Sequence, residues 1–481
     1  MSKQVHFIKI IGKPIKTLPL SKIMCYNTLR YNIKEENKME ISKLIESIIN
    51  IEKINQTDFA QTIGSTQAQV SDWISGKSKP SYEKLQAIGF QFKIDGNDLL
   101  DLRKSTNNNK PIRVFETFSG IGAQAAALNR MGINYEVVAT SDWYINALLA
   151  YDAIHTYKKK IKYPSYEEQI EYLKQFTFSK DSATPIKDIK KIDKETIKKL
   201  YRANKLSNNL GSITDIQAKD IPDHDLLTYS FPCQDLSTGG KTLGMTKGSG
   251  TRSGLLWEIE RILTGLNEEH RLPKYLLMEN VKAILAESNK KDLDCWLEFL
   301  ESLGYKNYKP LVLSGIDFGI PQDRERCFIV SSLDHNLNLD IEAKMNRISK
   351  EETLNFLKLN YNNKVYKEEA DEAQLNRTPS REEMWEINKR DLNNMNYFYT
   401  ITTNMDRQNN AGMILYNGIK GNSYRLPTAR EAFMLMGFTE KEYERVKKLG
   451  FSYRQMIKLA GNSIIVNVIQ AIFEEMFKGE N

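Results

Sequence analysis

The sequence predicts an α/β protein with a doubly wound sheet, a smaller inserted domain and a separate N-terminal all-α domain. Three observations lead to this prediction. Beyond residue 111, short apolar runs that end in glycine, proline or carboxylate turns alternate with segments of helical periodicity. Between residues 39 and 103, apolar residues recur at helical spacing. The chain has 481 residues, of which 41% are hydrophobic, so it can form two or three domains with proper cores.

Composition excludes several classes of protein. The chain has no run of about eighteen apolar residues, and residues 1–13 lack the apolar core and cleavage site of a secretory signal. We therefore expect a cytoplasmic protein without a membrane span. No C-x-x-C pair occurs, so we expect neither a metal site nor a disulfide framework from the four cysteines, Cys25, Cys233, Cys295 and Cys327. The net charge of +7 mildly favours a polyanionic partner.

The N-terminal part predicts a helical domain. Residues 1–38 show no clear period and form an extension, whereas residues 39–103 carry the helical pattern. Residues 104–110 are polar and without period, so we expect a linker there. One helical face is apolar and consists of Ile41, Leu44, Ile45, Ile48 and Ile49.

Two short helices joined at Gly64 predict a helix-turn-helix. We expect Thr57 to cap the first helix and Ser65 to cap the second. In this arrangement the second helix enters the major groove of DNA, where its N-terminal polar residues face base edges and phosphates. The candidate DNA-binding residues are Gln67, Gln69 and Ser71. A helical packing module that does not contact DNA is the alternative.

The second domain opens on a strand and a glycine turn. The apolar run 112–118 is followed by Gly120-Ile121-Gly122 and an alanine-rich helix, as in a nucleoside-cofactor loop. A second apolar run, 137–140, ends at Asp142-Trp143, where a carboxylate can accept hydrogen bonds from ribose and an aromatic ring can lie against adenine. A helix N-cap is the alternative role for Asp142.

Further on, the apolar run 225–229 ends in a proline-fixed turn that contains Cys233. Ligands bind outside the carboxyl ends of strands in open α/β sheets, and a nucleophilic thiolate needs a polar, partly exposed position. Cys233 is therefore a candidate nucleophile, although a small buried hydrophobe is the commoner fate of a cysteine.

Glu279 and two arginines complete the candidate catalytic groups. Glu279 follows an apolar run, 275–278, and should point into the same crevice. Arg324 and Arg326 precede another apolar run, 327–330, and their spacing of two places them on one side of a strand. The alternatives are a surface carboxylate and ordinary structural ion pairs.

Five motifs occur in a fixed order along the chain and together resemble the DNA (cytosine-5)-methyltransferase family. They are 114–122, 230–237, Glu279-Asn280-Val281, 322–326 and Gly461-Asn462-Ser463. The resemblance extends from Pro111 to the C-terminus. It implies a Rossmann-like, S-adenosyl-L-methionine-dependent methyltransferase domain at 111–332 and 424–481, interrupted by a target recognition domain at 333–423. Residues 56–80 separately resemble the helix-turn-helix of phage-repressor type.

The resemblance also implies the chemistry. Cys233 would add to C6 of a cytosine flipped out of double-stranded DNA, Glu279 would contact N3, and Arg326 would approach O2 with Arg324 nearby. Nine positions match residues that hold S-adenosyl-L-methionine in the family: Phe118, Gly120, Gly122, Asp142, Trp143, Pro232, Leu255, Asn462 and Ser463.

One cofactor motif departs from the family pattern. The family usually has an acidic residue after the glycine of its third motif, whereas this chain has Ser212 and Ile213 after Gly211. Ser212 can still accept a hydrogen bond. We therefore include Ser212 and Ile213 among the cofactor residues.

Candidate DNA contacts lie in two further segments. The loop 235–252 is rich in glycine and suits a lid over the substrate, with Ser237, Lys241 and Arg252 as contact residues. Within 333–423, the candidates are Thr400, Thr402 and Arg407. The lysine-rich segment 157–209 is predicted to be helical and either touches phosphates or forms a solvated charged surface.

The implied partners are double-stranded DNA, the promoter of the protein's own gene through the helix-turn-helix, and a cognate restriction endonuclease acting on the same site. By resemblance, the catalytic unit is a monomer. An RNA cytosine-5 methyltransferase is the alternative among enzymes, and a transcription regulator with an inactive methyltransferase domain is the alternative from another class.

Overall fold

The computed structural model describes residues 40–92, 94, 99, 110–232, 245, 247, 253–374, 378–388, 390–391, 395–405, 411–418 and 424–478. The chain divides into two compact units, Met1–Asn108 and Asn109–Asn481. Five predicted site residues lie outside the described residues: Cys233, Ser237, Lys241, Arg252 and Arg407.

Unit 1 is helical. Its helices are α1 (Ile41–Glu52), α2 (Gln56–Thr62), α3 (Gln67–Ile74) and α4 (Tyr82–Phe92). The helices bury a core of their own, which includes Leu44, Phe59, Val70, Trp73 and Leu85. The all-α prediction for this part of the chain is therefore confirmed in the described residues.

Both N-caps predicted for unit 1 are wrong, because in each case a nearby residue caps the helix. The N-cap of α2 is Asn55, not Thr57, because the Asn55 side chain accepts the backbone N–H of Asp58. The N-cap of α3 is Thr66, not Ser65, because Thr66 forms a reciprocal capping box with Gln69. A cap needs extended backbone and a side-chain oxygen that reaches an N–H group two or three residues on, which sequence spacing alone did not locate.

Unit 2 is built on a seven-stranded sheet of order β2-β1-β3-β4-β8-β5, with β6 also paired to β8. The first four strands along this order are parallel, whereas β8 is antiparallel to β4, β5 and β6. The strands are β1 (Ile112–Thr117), β2 (Tyr135–Ser141), β3 (Leu226–Tyr229), β4 (Tyr275–Val281), β5 (Lys306–Asn307), β6 (Leu311–Leu313) and β8 (Arg326–Ser332).

Two smaller strand pairs accompany this sheet. β7 (Gln322–Asp323) pairs in parallel with β9 (Phe398–Tyr399), and β10 (Ile414–Leu415) pairs with antiparallel β11 (Tyr424–Arg425). The β7–β9 pair joins the chain just before β8 to the segment 395–405.

Helices cover both faces of the sheet. On one face α5 (Ala123–Met131) packs with the C-terminal helix α17 (Val466–Met476), and on the other lie α9 (Leu256–Glu268) and α10 (Glu287–Ser302). Successive residues of β1 illustrate the alternation, since Val114 belongs to the first core and Phe115 to the second. The doubly wound α/β prediction is confirmed.

Further helices accompany these two layers, and some of them contribute residues to the first core. α6 (Ile145–Tyr151), α7 (Tyr166–Leu173) and α8 (Lys194–Leu206) share a small core, so the lysine-rich segment is helical and packed. The others are α11 (Lys350–Thr353), α12 (Lys364–Glu372), α13 (Pro379–Asn388), α14 (Ala429–Leu435), α15 (Glu440–Lys447) and α16 (Tyr453–Gly461).

One stretch among the described residues, 453–476, is long and apolar enough to cross a membrane by length and composition. It consists of α16 and α17, and 78% of its most apolar window is buried inside the protein. This burial is typical of core helices.

Candidate active site

The carboxyl ends of β2, β1 and β3 are in register with one another and with Met278 of β4, which continues to Val281. Thr117 pairs with Ser141 on one side and with Tyr229 on the other, and Tyr229 pairs with Met278. Neighbouring strands lie about 4.8 Å apart. The sheet edge therefore brings together the residues that follow these four: Phe118, Asp142, Ser230 and Glu279.

The glycine turn after β1 needs its glycines. The backbone at Phe118, Gly120 and Gly122 has positive φ values of 51°, 55° and 76°. A Cβ atom at Gly122 would lie 2.3 Å from Nε2 of His155 and 2.6 Å from the Tyr151 ring, so no larger residue fits there. The glycine at 122 is therefore required by its packing against these two rings and by its backbone conformation.

Asp142 fixes this turn from the neighbouring strand. Its Oδ2 accepts the N–H of Gly120 at 2.9 Å, and its Oδ1 accepts the N–H of Tyr144 at 2.8 Å. The N-cap position of α6 is Tyr144, so the helix-cap alternative for Asp142 does not describe the structure. Burial raises the pKa of Asp142, against the opposing effect of the N–H groups of Tyr144, Gly120 and Trp143.

The surroundings of Asp142 fit the nucleoside part of S-adenosyl-L-methionine. Each of its oxygens takes one backbone donor and keeps another acceptor direction, which suits a ribose diol. Trp143 is half-buried next to it. Ser141 Oγ donates to the carbonyl of Gly211 at 2.9 Å, which places half-buried Ser212 and buried Ile213 beside the same strand end.

Three further cofactor candidates lie on other elements. Leu255 is half-buried in the turn that leads into α9. Asn462 is exposed at the C-terminal end of α16, and Ser463 beside it is buried. Pro232 ends the described part of the turn after β3.

Glu279 is the buried carboxylate of the crevice, 9% exposed, and its Oε1 lies 3.3 Å from Nε of Arg326. Burial raises the pKa of Glu279, although Arg326, Arg324 and a hydrogen bond from Ser230 act in the opposite direction. The carboxyl group thus holds a proton at higher pH than an exposed glutamate does.

The backbone leading to Cys233 is fixed by two side chains. Asn280 Nδ2 donates to the carbonyl of Phe231 at 3.0 Å, and Ser253 Oγ donates to the carbonyl of Pro232 at 2.8 Å. Asn280 follows Glu279 directly, so one strand end positions both the carboxylate and the cysteine turn. The sequence analysis did not assign these roles to Asn280 and Ser253. The one indication in the sequence was the polar Asn280 next to an apolar run.

Cys327 is poorly suited to act as a nucleophile. It is fully buried on β8, and burial together with the charge of Glu279 raises the pKa of its thiol to about 12. A thiol with this pKa is protonated at neutral pH.

The two arginines have different partners. Arg324 donates to the carbonyl oxygens of Ile401, Gly461 and Ser463, each at 2.9 Å. Arg326 instead faces Glu279. Arg324 therefore joins two separate stretches of backbone, at 401 and at 461–463, and its effect on Glu279 is electrostatic.

Thr400 and Thr402 lie where the segment 395–405 meets the crevice. Thr400 Oγ1 donates to the carbonyl of Asp323 at 3.1 Å, and Thr400 lines an open cleft of about 650 Å³ with Val281 and Glu325. The backbone of Thr402 passes so close to α16 that a Cβ at Gly461 would lie 2.6 Å from its carbonyl carbon.

Two further observations concern unit 2. Lys247 is exposed, pairs with Glu260 and lies over the Trp257 ring. Among the described residues, no group of three histidine, cysteine or carboxylate side chains could hold a metal ion.

In unit 1, the three predicted DNA-contact residues have different surroundings. Gln69 Oε1 accepts hydrogen bonds from Ser65 Oγ at 2.7 Å and from the N–H of Thr66. The side-chain oxygen of Gln69 therefore already has hydrogen-bond partners in the cap of α3. Gln67 is exposed, and its Nε2 donates to Oε1 of Gln56 at 3.2 Å. Ser71 is half-buried one turn further along α3.

Comparison with known proteins identifies both units. A family model described as C-5 cytosine-specific DNA methylase matches residues 188–478, and a helix-turn-helix model matches residues 48–89.

Two relatives match over their full length. The orphan methyltransferase M.SssI of Spiroplasma monobiae is 38% identical over 397 residues, covering 78% of this chain and 100% of that protein. The type II methyltransferase M2.ScrFI of Lactococcus lactis subsp. cremoris is 36% identical and covers 77% of this chain and 100% of its own.

A solved structure supports the fold. The Dnmt2 methyltransferase of S. pombe covers 77% of this chain and 100% of its own, with a TM-score of 0.50 and 20% identity. The family match spans more than half of the chain, and the predicted family, enzyme class and cofactor are confirmed. The chain belongs to the C-5 cytosine-specific DNA methylases and is an S-adenosyl-L-methionine-dependent DNA (cytosine-5)-methyltransferase with an N-terminal helix-turn-helix domain.

Proposed function

We propose that this enzyme methylates cytosine through a covalent adduct of Cys233 with a base flipped out of double-stranded DNA. C5 of cytosine is too weak a nucleophile until a thiolate adds to C6, and both atoms are covered while the base is stacked. The observation that carries the proposal is the register of the strand ends, which brings the turn leading to Cys233 beside Glu279 and Arg326.

Glu279 and Arg326 act on the far side of the ring. As the Cys233 sulfur bonds to C6, an electron pair moves towards N3, where the protonated carboxyl of Glu279 donates its proton. Arg326, which lies 3.3 Å from that carboxyl, stabilises the charge that develops at O2. Glu279 also favours cytosine over thymine because it faces N3 and the exocyclic amine.

When bound, S-adenosyl-L-methionine would supply an electrophilic methyl group to C5 and would leave as S-adenosylhomocysteine. A water molecule or hydroxide then takes the C5 proton, the C6–S bond breaks, and the thiolate of Cys233 is regenerated. The proton on N3 returns to the carboxylate of Glu279, which restores the starting state of the enzyme. Asn280 and Ser253 are positioning residues in this sequence, because they hold the two carbonyl groups that precede Cys233. Arg324 is likewise a positioning residue, since its hydrogen bonds go to backbone.

We propose that Asp142 binds the ribose hydroxyls of the cofactor and that Trp143 lies against adenine. Residues 333–423 form the target recognition domain, with Thr400 and Thr402 at its border with the crevice. The open cleft of about 650 Å³ beside Thr400 is large enough to admit a nucleotide.

The test is methyl transfer from labelled S-adenosyl-L-methionine to unmethylated DNA, followed by bisulfite sequencing, with wild type beside Cys233→Ala. We expect label at C5 of cytosine in one short sequence, and none with the variant. Transfer RNA serves as the comparison substrate. Label in RNA alone would support the RNA enzyme, and undiminished transfer by Cys233→Ala would exclude the covalent route.

We propose that unit 1 binds the promoter of the enzyme's own gene and represses it. The observation that favours this second function is the hydrogen bond between exposed Gln67, at the start of α3, and half-buried Gln56, at the start of α2. A helix presented in this way contacts base edges and phosphates with its N-terminal residues.

We also propose that the enzyme protects host DNA from a cognate restriction endonuclease, as the name of its relative M2.ScrFI implies for that protein. Host extract should cut unmethylated copies of the target sequence and spare methylated ones. Equal resistance of both would indicate a methyltransferase without such a partner. We propose that the enzyme acts in the cytoplasm, because its proposed substrate is chromosomal DNA.

A further inference from the structure

The lysine-rich segment 157–209 holds all of the formal net charge of this chain. It contains fourteen lysine and arginine residues against seven aspartate and glutamate residues. The whole chain has a net charge of +7, so the residues outside this segment are formally neutral together. A charge that is concentrated in this way indicates a polyanionic partner more strongly than the same charge spread over the molecule.

Three lysines of this segment form a row on one face of α8. Lys194, Lys198 and Lys205 are exposed, and their spacing brings the three side chains to the same side of the helix. A different face of α8 is apolar and packs into the core that it shares with α6 and α7. At about 1.5 Å per residue, this lysine row is about 16 Å long. The phosphates of one DNA strand advance about 3.4 Å each along the helix axis, so the row matches the length of about five phosphates.

Tyrosine rings hold the three ammonium groups in place. The lysines belong to α8, whereas the rings belong to α7 and the residues just before it. A cation over the face of an aromatic ring is attracted to it, so each lysine side chain has a preferred position. The pairs, with the distance from Nζ to the ring centre, are Lys194–Tyr166 (5.2 Å), Lys198–Tyr163 (4.9 Å) and Lys205–Tyr172 (4.1 Å).

The lysine row keeps its positive charge. Among the residues that the structure describes, none of the three lysines forms a salt bridge, whereas Lys199 on the same helix pairs with Glu195 at 3.5 Å. A tyrosine ring orients an ammonium group but does not neutralise it. Each ammonium group therefore keeps N–H donors for oxygen atoms of another molecule.

One end of the lysine row lies close to the crevice. Just beyond the end of α8, Asn209 Oδ1 accepts the backbone N–H of Asp142 at 2.9 Å. The carbonyl of Asn208 accepts the N–H of Thr140 at 3.3 Å, which joins this end of the helix to the carboxyl end of β2. Lys205 lies at this end of α8, and Lys194 lies at the other end, about 16 Å away.

We infer that the lysine row binds the phosphate backbone of the DNA substrate outside the target sequence. Duplex DNA is favoured over other polyanions because the chain belongs to a family of DNA methylases and the row begins beside the crevice. Contacts with phosphates carry no sequence information, but they add affinity and fix the position of the duplex. This binding is independent of the proposed Cys233 adduct, since it concerns DNA beyond the reacting base.

The test measures how DNA binding by the full-length protein depends on salt, using fluorescence anisotropy with an unmethylated duplex of about 40 base pairs. Each lysine that neutralises a phosphate contributes about −0.9 to the slope of the logarithm of the association constant against the logarithm of the salt concentration. We expect the glutamine variant, Lys194→Gln with Lys198→Gln and Lys205→Gln, to reduce the magnitude of this slope by about 2.7. Between about 50 mM and about 200 mM salt, wild type should then lose about 40-fold more affinity than the variant.

Two further variants separate local charge from packing and from net charge. Arginine at all three positions of the row keeps both the charge and the attraction to the rings, so we expect the wild-type slope. The matched control is Lys219→Gln with Lys306→Gln and Lys309→Gln, which removes the same charge from exposed lysines. Two of these lie in or just after β5, at the opposite edge of the sheet from β2, and we expect the wild-type slope here too.

Three results would overturn the inference. An unchanged slope in the glutamine variant, together with a lowered melting temperature, would give the row a purely structural role on α7. An equal reduction of the slope in the matched control would show that net charge alone is responsible. A reduction seen with single-stranded RNA but not with the duplex would assign the row to an RNA partner. The binding measurement requires no methyl transfer, so its outcome is distinct from that of the test of Cys233.

Discussion

Glu279 experiences two opposing influences whose balance decides its protonation. Desolvation favours the neutral carboxyl, and the nearby Arg326 and Arg324 favour the carboxylate, with the net result that the pKa is raised. A general acid is effective when its pKa approaches the working pH. In the proposed mechanism, Glu279 is therefore suited to donate a proton to the base as well as to interact with it electrostatically.

We expect Glu279→Gln to lower kcat by about 10²- to 10⁴-fold, the usual contribution of general acid catalysis. In wild type, kcat/KM should fall as pH rises through the raised pKa, because the protonated form is lost. The variant cannot titrate at this position and should lack that fall, as steady-state rates over a pH series will show. Glu171→Gln is the control, since Glu171 lies on α7 and pairs with Lys174. An alkaline fall that persists in Glu279→Gln would assign it to another group.

At the residue scale, the sequence indicates which side chains are candidates for the site. It does not indicate all of their hydrogen-bond partners. The candidates Glu279 and Asp142 could be named because each follows an apolar run, and strand ends meet at one edge. The partners of Arg324 could not be named, because its three carbonyl groups lie 77, 137 and 139 residues away along the chain.

At the scale of elements, β1, β2, β4 and β8 could be predicted because each is a short apolar run with a turn signal. The alternation along these strands also places their side chains on two faces. Local sequence patterns do not predict which elements that are distant in sequence lie close together in the structure. The contact of α16 with the backbone of Thr402 is such an approach, and it depends on the absence of one Cβ atom.

We expect Gly461→Ala to raise the KM for DNA and to lower the melting temperature. Its Cβ would lie 2.6 Å from backbone atoms of Thr402 and Thr403, so the segment 401–403 must shift away from α16. Overpacking of this kind costs about 1–3 kcal/mol. Gly450→Ala is the control, because its φ of 80° strains the backbone while no atom lies within 4 Å of the added carbon. It should lower the melting temperature with KM unchanged. Equal effects of the two variants on KM would contradict the proposed role of the contact.

At the scale of the whole molecule, each unit has a hydrophobic core of its own. The core of unit 1 contains residues of α1 to α4, and the cores of unit 2 lie on the two faces of its sheet. Each unit therefore meets the requirement for a domain that folds independently. The sequence predicts a linker at 104–110, because a polar stretch without period separates the helical pattern from the apolar runs that follow.

We expect the double variant Gln67→Ala with Ser71→Ala to lose promoter binding while methyl transfer keeps its wild-type kcat and KM. The reason is that these side chains lie on α3 of unit 1, whereas the proposed catalytic groups belong to unit 2. Footprinting of the upstream DNA and methyl-transfer kinetics on one protein preparation will measure both. Gln61→Ala, an exposed change on α2, is the control. Protection that survives the double variant would place the DNA contact elsewhere.

The three hydrogen bonds of Arg324 have a thermodynamic consequence. One guanidinium group holds Ile401, next to the proposed DNA contacts, and also Gly461 and Ser463, next to the proposed cofactor contacts. A ligand that orders one of these stretches reduces the entropy that the other ligand must lose on binding. Linkage then requires the effect to be reciprocal, so DNA strengthens cofactor binding by the same factor by which the cofactor strengthens DNA binding.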